Sequence, residues 1–436
     1  MKRLVLFAAL IATIVFGQPQ TGGFGAGGNA GRTGPSFGRS LAFFEFAPPE
    51  RTGMGSACSC LTPTGAKGEV LTFTRTGDAT CSRSGLATTG INNGDLTVCT
   101  ANQPRVEPSG GVLGLRVEDT RTNGVVRSQE INNAAWLPQN SGVGTTLPTI
   151  TANAATAPDG TLTADRVQYS DCALAASFSL VQSSGSVQTA AAGSIYVRGN
   201  GASGNIGLAL NAPGGVAVVS VCAYVSTSWT RCQLAGTGAA STASLYFGCG
   251  NGVVGGMTQT GSGDVFVWGG QVENGAYATS YIPTVASAVT RNAETTSLTS
   301  TVLPLTGSVA VTTQRPYGSA LASNQTLVDA LVSTSSGWRF SFVGSQLRIE
   351  KGGPLASVGA TTTWAAVEAP RWAASFDGAN ASLFVNGTVL IGPSVLAGFT
   401  GPTYTPVGIG WDHQGFASFD GIISRVCVDP DPNRCR

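Results

Sequence analysis

The chain has 436 residues, 24 Lys and Arg against 23 Asp and Glu, and a charged fraction of 11%. An ordinary globular protein carries about 25% charged residues, and only three of the cations here are lysines, so a helical bundle, a coiled coil and a basic nucleic-acid binder are excluded. With 60 glycines and His413 as its single histidine, the chain reads as all-β and turn-rich, without a His-based metal centre or triad.

Lys2 and Arg3 precede an apolar run at 4–16, and Val15 and Gly17 place small residues at the −3 and −1 positions before Gln18. This is the layout of a signal peptide over 1–17, and the run is too short to span a bilayer, where about 20 residues are needed. No other stretch reads as a membrane span, so none is expected in the mature chain. Residues 18–40 hold eight glycines and read as a flexible tether, because they cannot bury enough apolar surface to offset their ordering entropy.

Strand signals begin after the tether. Residues 41–125 read as a small β-rich unit with strands at 69–75 and 112–117, the second alternating through Leu113, Leu115 and Val117. Residues 126–285 repeat the rhythm with strands at 194–198, 216–225, 229–234, 243–247 and 264–272. In the last, Phe266 and Trp268 face one way and Val265 and Val267 the other, so both faces are expected to be covered. Residues 286–301 suit a linker or an entering edge strand. Residues 302–436 carry the clearest hairpin signals, because Asp377-Gly378 and Asn386-Gly387 supply the positive φ that tight turns require. The expected fold class is all-β, as tandem antiparallel β-sandwich (jelly-roll) domains.

Ten cysteines follow the apolar run, and in an exported chain an even count reads as disulfides. No CxxC knuckle suggests zinc. Cys427 and Cys435 flank a Pro-rich turn and are expected to bridge. A turn centred on Thr227 would oppose Cys222 and Cys232 across a hairpin, which leaves Cys172 for Cys249. The pairing among Cys58, Cys60, Cys81 and Cys99 stays open.

Two stretches resemble known families. Trp372, Asp377-Gly378, Leu383 to Gly387, Gly408-Ile409-Gly410 and Phe419-Asp420-Gly421 resemble the laminin-G/concanavalin A-like jelly rolls. Leu71 to Arg75, Pro104-Arg105, Gly114 to Glu118 and Arg121-Thr122-Asn123 resemble the opening of phage fibre and head-spike proteins. The latter likeness continues through Asn132, Trp136, Asp159-Gly160-Thr161, Asp165, Gly270 to Glu273 and Tyr281 to Thr284. It covers roughly 70–285 and implies a carbohydrate-binding-module-like sandwich over 126–285. Jelly rolls of both types hold calcium with loop carboxylates, so Asp377, Asp412 and Asp420 become candidate metal ligands in the last domain, and Asp159, Asp165 and Asp171 in the middle one. Each also suits a solvated turn.

Catalytic patterns are products of composition. The GxSxG at 34–38 lies in the tether and not on a strand-turn-helix elbow, and three GxGxxG hits open no helix. Glu118 and Asp119 are adjacent and point to opposite faces of a strand, and Glu273 stands as a lone acid, whereas a glycosidase needs two carboxyls facing each other. No enzyme is expected. Sugar binding rests on an exposed aromatic with planar polar neighbours, and Trp411, Asp412, His413 and Gln414 offer that set. The sequence therefore reads as a secreted or surface-exposed glycan-binding adhesion protein whose partner is a cell-surface or environmental polysaccharide. A virion appendage is the alternative, and a glycan-active hydrolase the weaker one.

Overall fold

The computed structural model describes residues 42–45, 62–63, 70–109, 112–186, 190–211, 218–237, 242–299, 307–315, 324–330, 337–351, 357–362, 368–396, 407–411, 419–429, 433 and 435. The expected signal peptide, the tether, Cys58 and Cys60 lie outside them. Among the described residues every paired strand is antiparallel and no helix occurs. The strands build two β-sandwiches.

The middle sandwich packs two five-stranded sheets. One runs Thr149–Ala155, Ala164–Tyr169, Gly263–Asn274, Ala190–Gly199, Thr230–Thr237. The other runs Val218–Tyr224, Gly204–Asn211, Thr242–Gly250, Phe178–Ser186, Leu137–Ser141. Period-2 alternation sends Val265 and Val267 inward, where they meet Ile195, Leu208 and Phe247; Trp136 packs edge-on to Phe247 at 5.9 Å between centroids. Trp268 and Phe266 point outward and are covered by Ile91, Leu96, Trp229 and Tyr281. Both faces of the strand are buried because a segment from residues 79–99 folds over the outside of the sheet.

The C-terminal sandwich sets a nine-stranded sheet against a seven-stranded one. Val311, Trp372 and Leu383 from the first face Leu327, Phe340 and Phe342 from the second, with Phe342 edge-on to Trp372 at 5.1 Å. Val385 pairs with Thr388 across a two-residue loop in which Asn386 and Gly387 have φ of 49° and 80°, the backbone a tight hairpin requires. The Asp377-Gly378 turn is longer, since Phe376 pairs with Ala381.

Two expectations are corrected. Residues 41–125 do not stand as a separate unit, because most of their strands complete the C-terminal sandwich. Ala42–Glu45 and Val112–Val117 pair with Gly421–Asp429, and Val70–Thr74 pairs with Thr295–Thr299. For 286–301, read as a linker or an entering strand, the structure has strands: Val289–Arg291 pairs with Arg121–Asn123, and Thr295–Thr299 enters the seven-stranded sheet. The second correction concerns Cys222 and Cys232. They are bonded, with 5.7 Å between their Cα atoms, but not across a hairpin. Val218–Tyr224 and Thr230–Thr237 are edge strands of opposite sheets, so the bridge staples one end of the sandwich shut. Cys172 is bonded to Cys249, Cys427 to Cys435 and Cys81 to Cys99.

Candidate functional site

The Trp411 segment leaves the C-terminal sandwich at a defined point. Strand Val407–Ile409 lies between Gln325–Asp329 and Thr295–Thr299. Beyond it, the Gly410 N–H donates to the Leu327 carbonyl, and the Phe419 N–H donates to the Gly410 carbonyl, both at 2.8 Å. Gly410 and Phe419 are thereby held side by side at the edge of the sandwich core. Only glycine suits position 410, where φ is +66° and a Cβ would lie 2.7 Å from the Ile423 side chain. Trp411 is half-buried, while the five other described tryptophans (Trp136, Trp229, Trp268, Trp338, Trp372) are buried. Asp412, His413 and Gln414 lie outside the described residues.

The candidate carboxylates are dispersed over protein donors. Asp420, one residue past the base of this segment, is buried. Its Oδ1 accepts from the Asp119 N–H at 2.7 Å, and its Oδ2 accepts from Arg121 Nη2 at 3.2 Å and from the Tyr277 hydroxyl. Burial pushes its carboxyl up against the pull of Arg121. Asp377 is exposed and accepts from the N–H groups of Asn380 at 2.7 Å and Ala379 at 3.0 Å, which hold its carboxyl below the usual range. Asp159 accepts from Thr161. Asp165 accepts from the N–H groups of Asn132 and Asn153, both at 2.8 Å. Asp171 is exposed. Among the described residues, which do not include Asp412, no three His, Cys, Asp or Glu side chains gather as a metal site.

Asp420 also marks the seam between the sandwiches, because Tyr277 follows the last strand of the middle one. The seam is ionic. Arg75 Nη1 meets Glu294 at 2.7 Å, and Arg105 holds Glu294 through Nε at 2.6 Å and Nη2 at 2.5 Å. Glu118 accepts from Arg105 and Arg116 at 2.8 Å each and pairs with Arg291 at 3.1 Å; Arg116 also meets Glu107 at 3.0 Å. Every member is buried. Burial alone would raise the Glu118 carboxyl, but Arg116, Arg291 and Arg105, with the Ser280 hydroxyl, hold it well below the usual range. Ser280 brings the middle sandwich into the cluster, donating its N–H and Oγ to Glu118 at 2.9 and 2.6 Å.

In the fold these residues are joints. Beside the cluster, Asn123 donates to the Gly270 and Ile282 carbonyls and accepts from the Val272 N–H. Glu273 accepts from Thr279 through both oxygens. One unused signal pointed to the cluster: in a chain so poor in charge, Arg-Val-Glu occurs at 105–107 and again at 116–118, placing opposite charges two apart on one strand face.

No family model matches this sequence, and no curated protein matches it. Among solved structures the chain is similar to the mouse laminin alpha1 chain, domains LG4-5, at 10% identity and a TM-score of 0.23, over 55% of this chain and 82% of that one.

Proposed function

We propose that the chain is a secreted or surface-exposed, non-enzymatic protein that binds glycans and mediates adhesion, with Trp411 and the adjacent Asp412, His413 and Gln414 as contacts. Trp411 carries the reading. It is the one described tryptophan with accessible surface, and its segment is pinned at both ends by Gly410 and Phe419. An indole anchored at its backbone and partly open to solvent can stack on a pyranose face with little ordering cost. The four disulfides support an oxidising compartment. The buried carboxylates support a non-catalytic role, since Glu107, Glu118, Glu273, Glu294 and Asp420 are all engaged by arginines, backbone N–H groups or hydroxyls.

The test is a glycan array probed with the mature protein and with Trp411→Ala. Retention of a glycan class by the wild type, lost in the variant at an unchanged melting temperature, is the expected result. Equal retention by both proteins overturns the Trp411 site, and an array blank for the wild type overturns the reading. A virion appendage, the structural alternative, predicts instead that the protein co-purifies with particles.

A further inference from the structure

The outer face of the middle sandwich holds a second place where a ligand group fits. Where residues 80–96 lie over strand Thr230–Thr237, a cleft of about 30 Å³ opens between Thr80, Thr88, Arg116, Arg231, Gln233 and Ser280. That is room for about two waters, or for the head of one small polar group. Arg231 is half-buried. Its Nη2 donates to Ser194 Oγ at 2.9 Å, and its guanidinium lies 5.5 Å from the centroid of the Tyr196 ring. Its Nε is buried without a hydrogen-bond partner, as is the Nε of Arg116.

Charge points the same way. Behind the cleft, four arginines (Arg75, Arg105, Arg116, Arg291) share three glutamates (Glu107, Glu118, Glu294), an excess of one positive charge. Arg231 adds another, and among the described residues no carboxylate pairs with it. A half-buried guanidinium held in place by a hydroxyl and an aromatic ring is a pre-organised receptor for a planar anion. The volume suits a carboxylate, whose two oxygens match the guanidinium fork.

We infer that this cleft binds the carboxylate of an acidic saccharide, with Arg231 as the charged contact and Gln233 and Thr88 beside it. The anionic group is read from the cleft; its attachment to a sugar rests on the glycan-binding reading above. The site is separate from Trp411, so the two can fail independently.

The experiment titrates the full mature chain, by NMR or calorimetry, with methyl glucuronide, neutral methyl glucoside and acetate. The glucuronide is expected to bind at least tenfold more tightly than either control, with an affinity that falls as salt rises. Arg231→Gln should weaken it at least tenfold. Thr88→Glu, which leaves Arg231 intact and supplies a competing carboxylate at the rim, should do the same, guarding against a folding defect in the first variant. Val389→Ala, at an exposed position of the C-terminal sandwich outside both sites, should leave it unchanged. Equal glucuronide binding by wild type and both cleft variants overturns the inference. Equal binding of glucuronide and glucoside overturns the carboxylate contact, and equal binding of acetate overturns the saccharide. Neutral glycans retained through Trp411 while no uronate binds would sink the cleft alone. Uronate binding lost in Arg231→Gln, with an array indifferent to Trp411, upholds the cleft and removes the Trp411 site.

Discussion

Between the sheets of the middle sandwich Val181, Leu208, Phe247, Val265 and Val267 are fully buried, while at the seam four arginines and three glutamates occupy positions just as dry. Apolar contact is non-directional, and a core of this kind tolerates repacking if volume is kept. Buried ion pairs behave differently. Their attraction barely offsets desolvation, but breaking one leaves an uncompensated charge. The contrast assigns the two regions different work. The sandwich interior supplies stability that many sequences could supply, and the seam fixes how the two sandwiches and residues 70–125 sit together. The disulfides are shared between the regions: Cys172–Cys249 and Cys222–Cys232 lie in the middle sandwich, and Cys81–Cys99 adjoins the seam, where the Cys99 carbonyl accepts from Arg75 Nη2 at 2.9 Å.

The sharpest way to break this comparison is Glu118→Ala. It leaves Arg105, Arg116 and Arg291 facing one another, and the expected cost is roughly 3–5 kcal/mol, read by denaturant unfolding. The same carboxylate sets a pH signature. Its folded pKa is depressed, so its contribution is fully present above the ordinary Glu value of about 4.3 and is lost only as pH falls through the lower folded value. The Glu118 contribution should be flat above about pH 5, and Glu118→Ala should flatten the acid limb. An unchanged acid limb in the variant would count against the seam as a charged joint.

Next in size is removal of Cys172–Cys249 by serine at both positions. The bridge closes a 77-residue separation, and the chain-entropy model gives about 4 kcal/mol. Cys222–Cys232 spans a separation of 10, and its loss should cost about 3 kcal/mol in the same model. If the seam is the weaker joint under acid, both serine variants should keep the wild-type pH profile while their midpoints drop. A pH profile that shifts with either disulfide would merge the two regions into one.

Legibility in the sequence follows how local each cause is. The hairpin at 386–387 is visible because two residues suffice to demand positive φ, and the two-faced strand at 264–272 is visible because alternation is written along one segment. Strand partners across the chain are not. Nothing near Phe44 names Val426, which it pairs with, and nothing near Leu71 names Leu298; such pairings are selected by the whole fold and have no local signature. Cys222 and Cys232 show the limit from the other side. Their spacing fits a hairpin and an inter-sheet staple equally well, and only the sheet membership of each strand distinguishes them. At the candidate sites, Trp411 is legible as an aromatic among planar polar neighbours. Arg231 is not, because its interest lies in what does not pair with it.

The smallest effect tests where the seam meets the Trp411 segment. Tyr277 donates its hydroxyl to Asp420 Oδ2, one residue past the closure at Gly410 and Phe419, and its ring lies 5.5 Å from the Arg121 guanidinium. Tyr277→Phe keeps the ring and removes the hydroxyl, which also accepts from Arg121 Nη2 at 3.3 Å and from Gln325 Nε2 at 3.4 Å. A hydrogen bond to a charged acceptor contributes about 1.5–3 kcal/mol, but Asp420 keeps the Asp119 N–H and Arg121 as donors. The cost should therefore fall toward the lower end, about 1–2 kcal/mol. Because the lost contact joins the two sandwiches and touches neither interior, the loss should appear in global unfolding with little change in hydrogen exchange of the central strand Gly263–Asn274. Glycan retention through Trp411 should weaken along with it, since Asp420 anchors the return of that segment. If exchange in the central strand rises as much as the seam loosens, then the sandwich and the seam are one cooperative body and the contrast between apolar interior and charged joint carries no mechanical meaning.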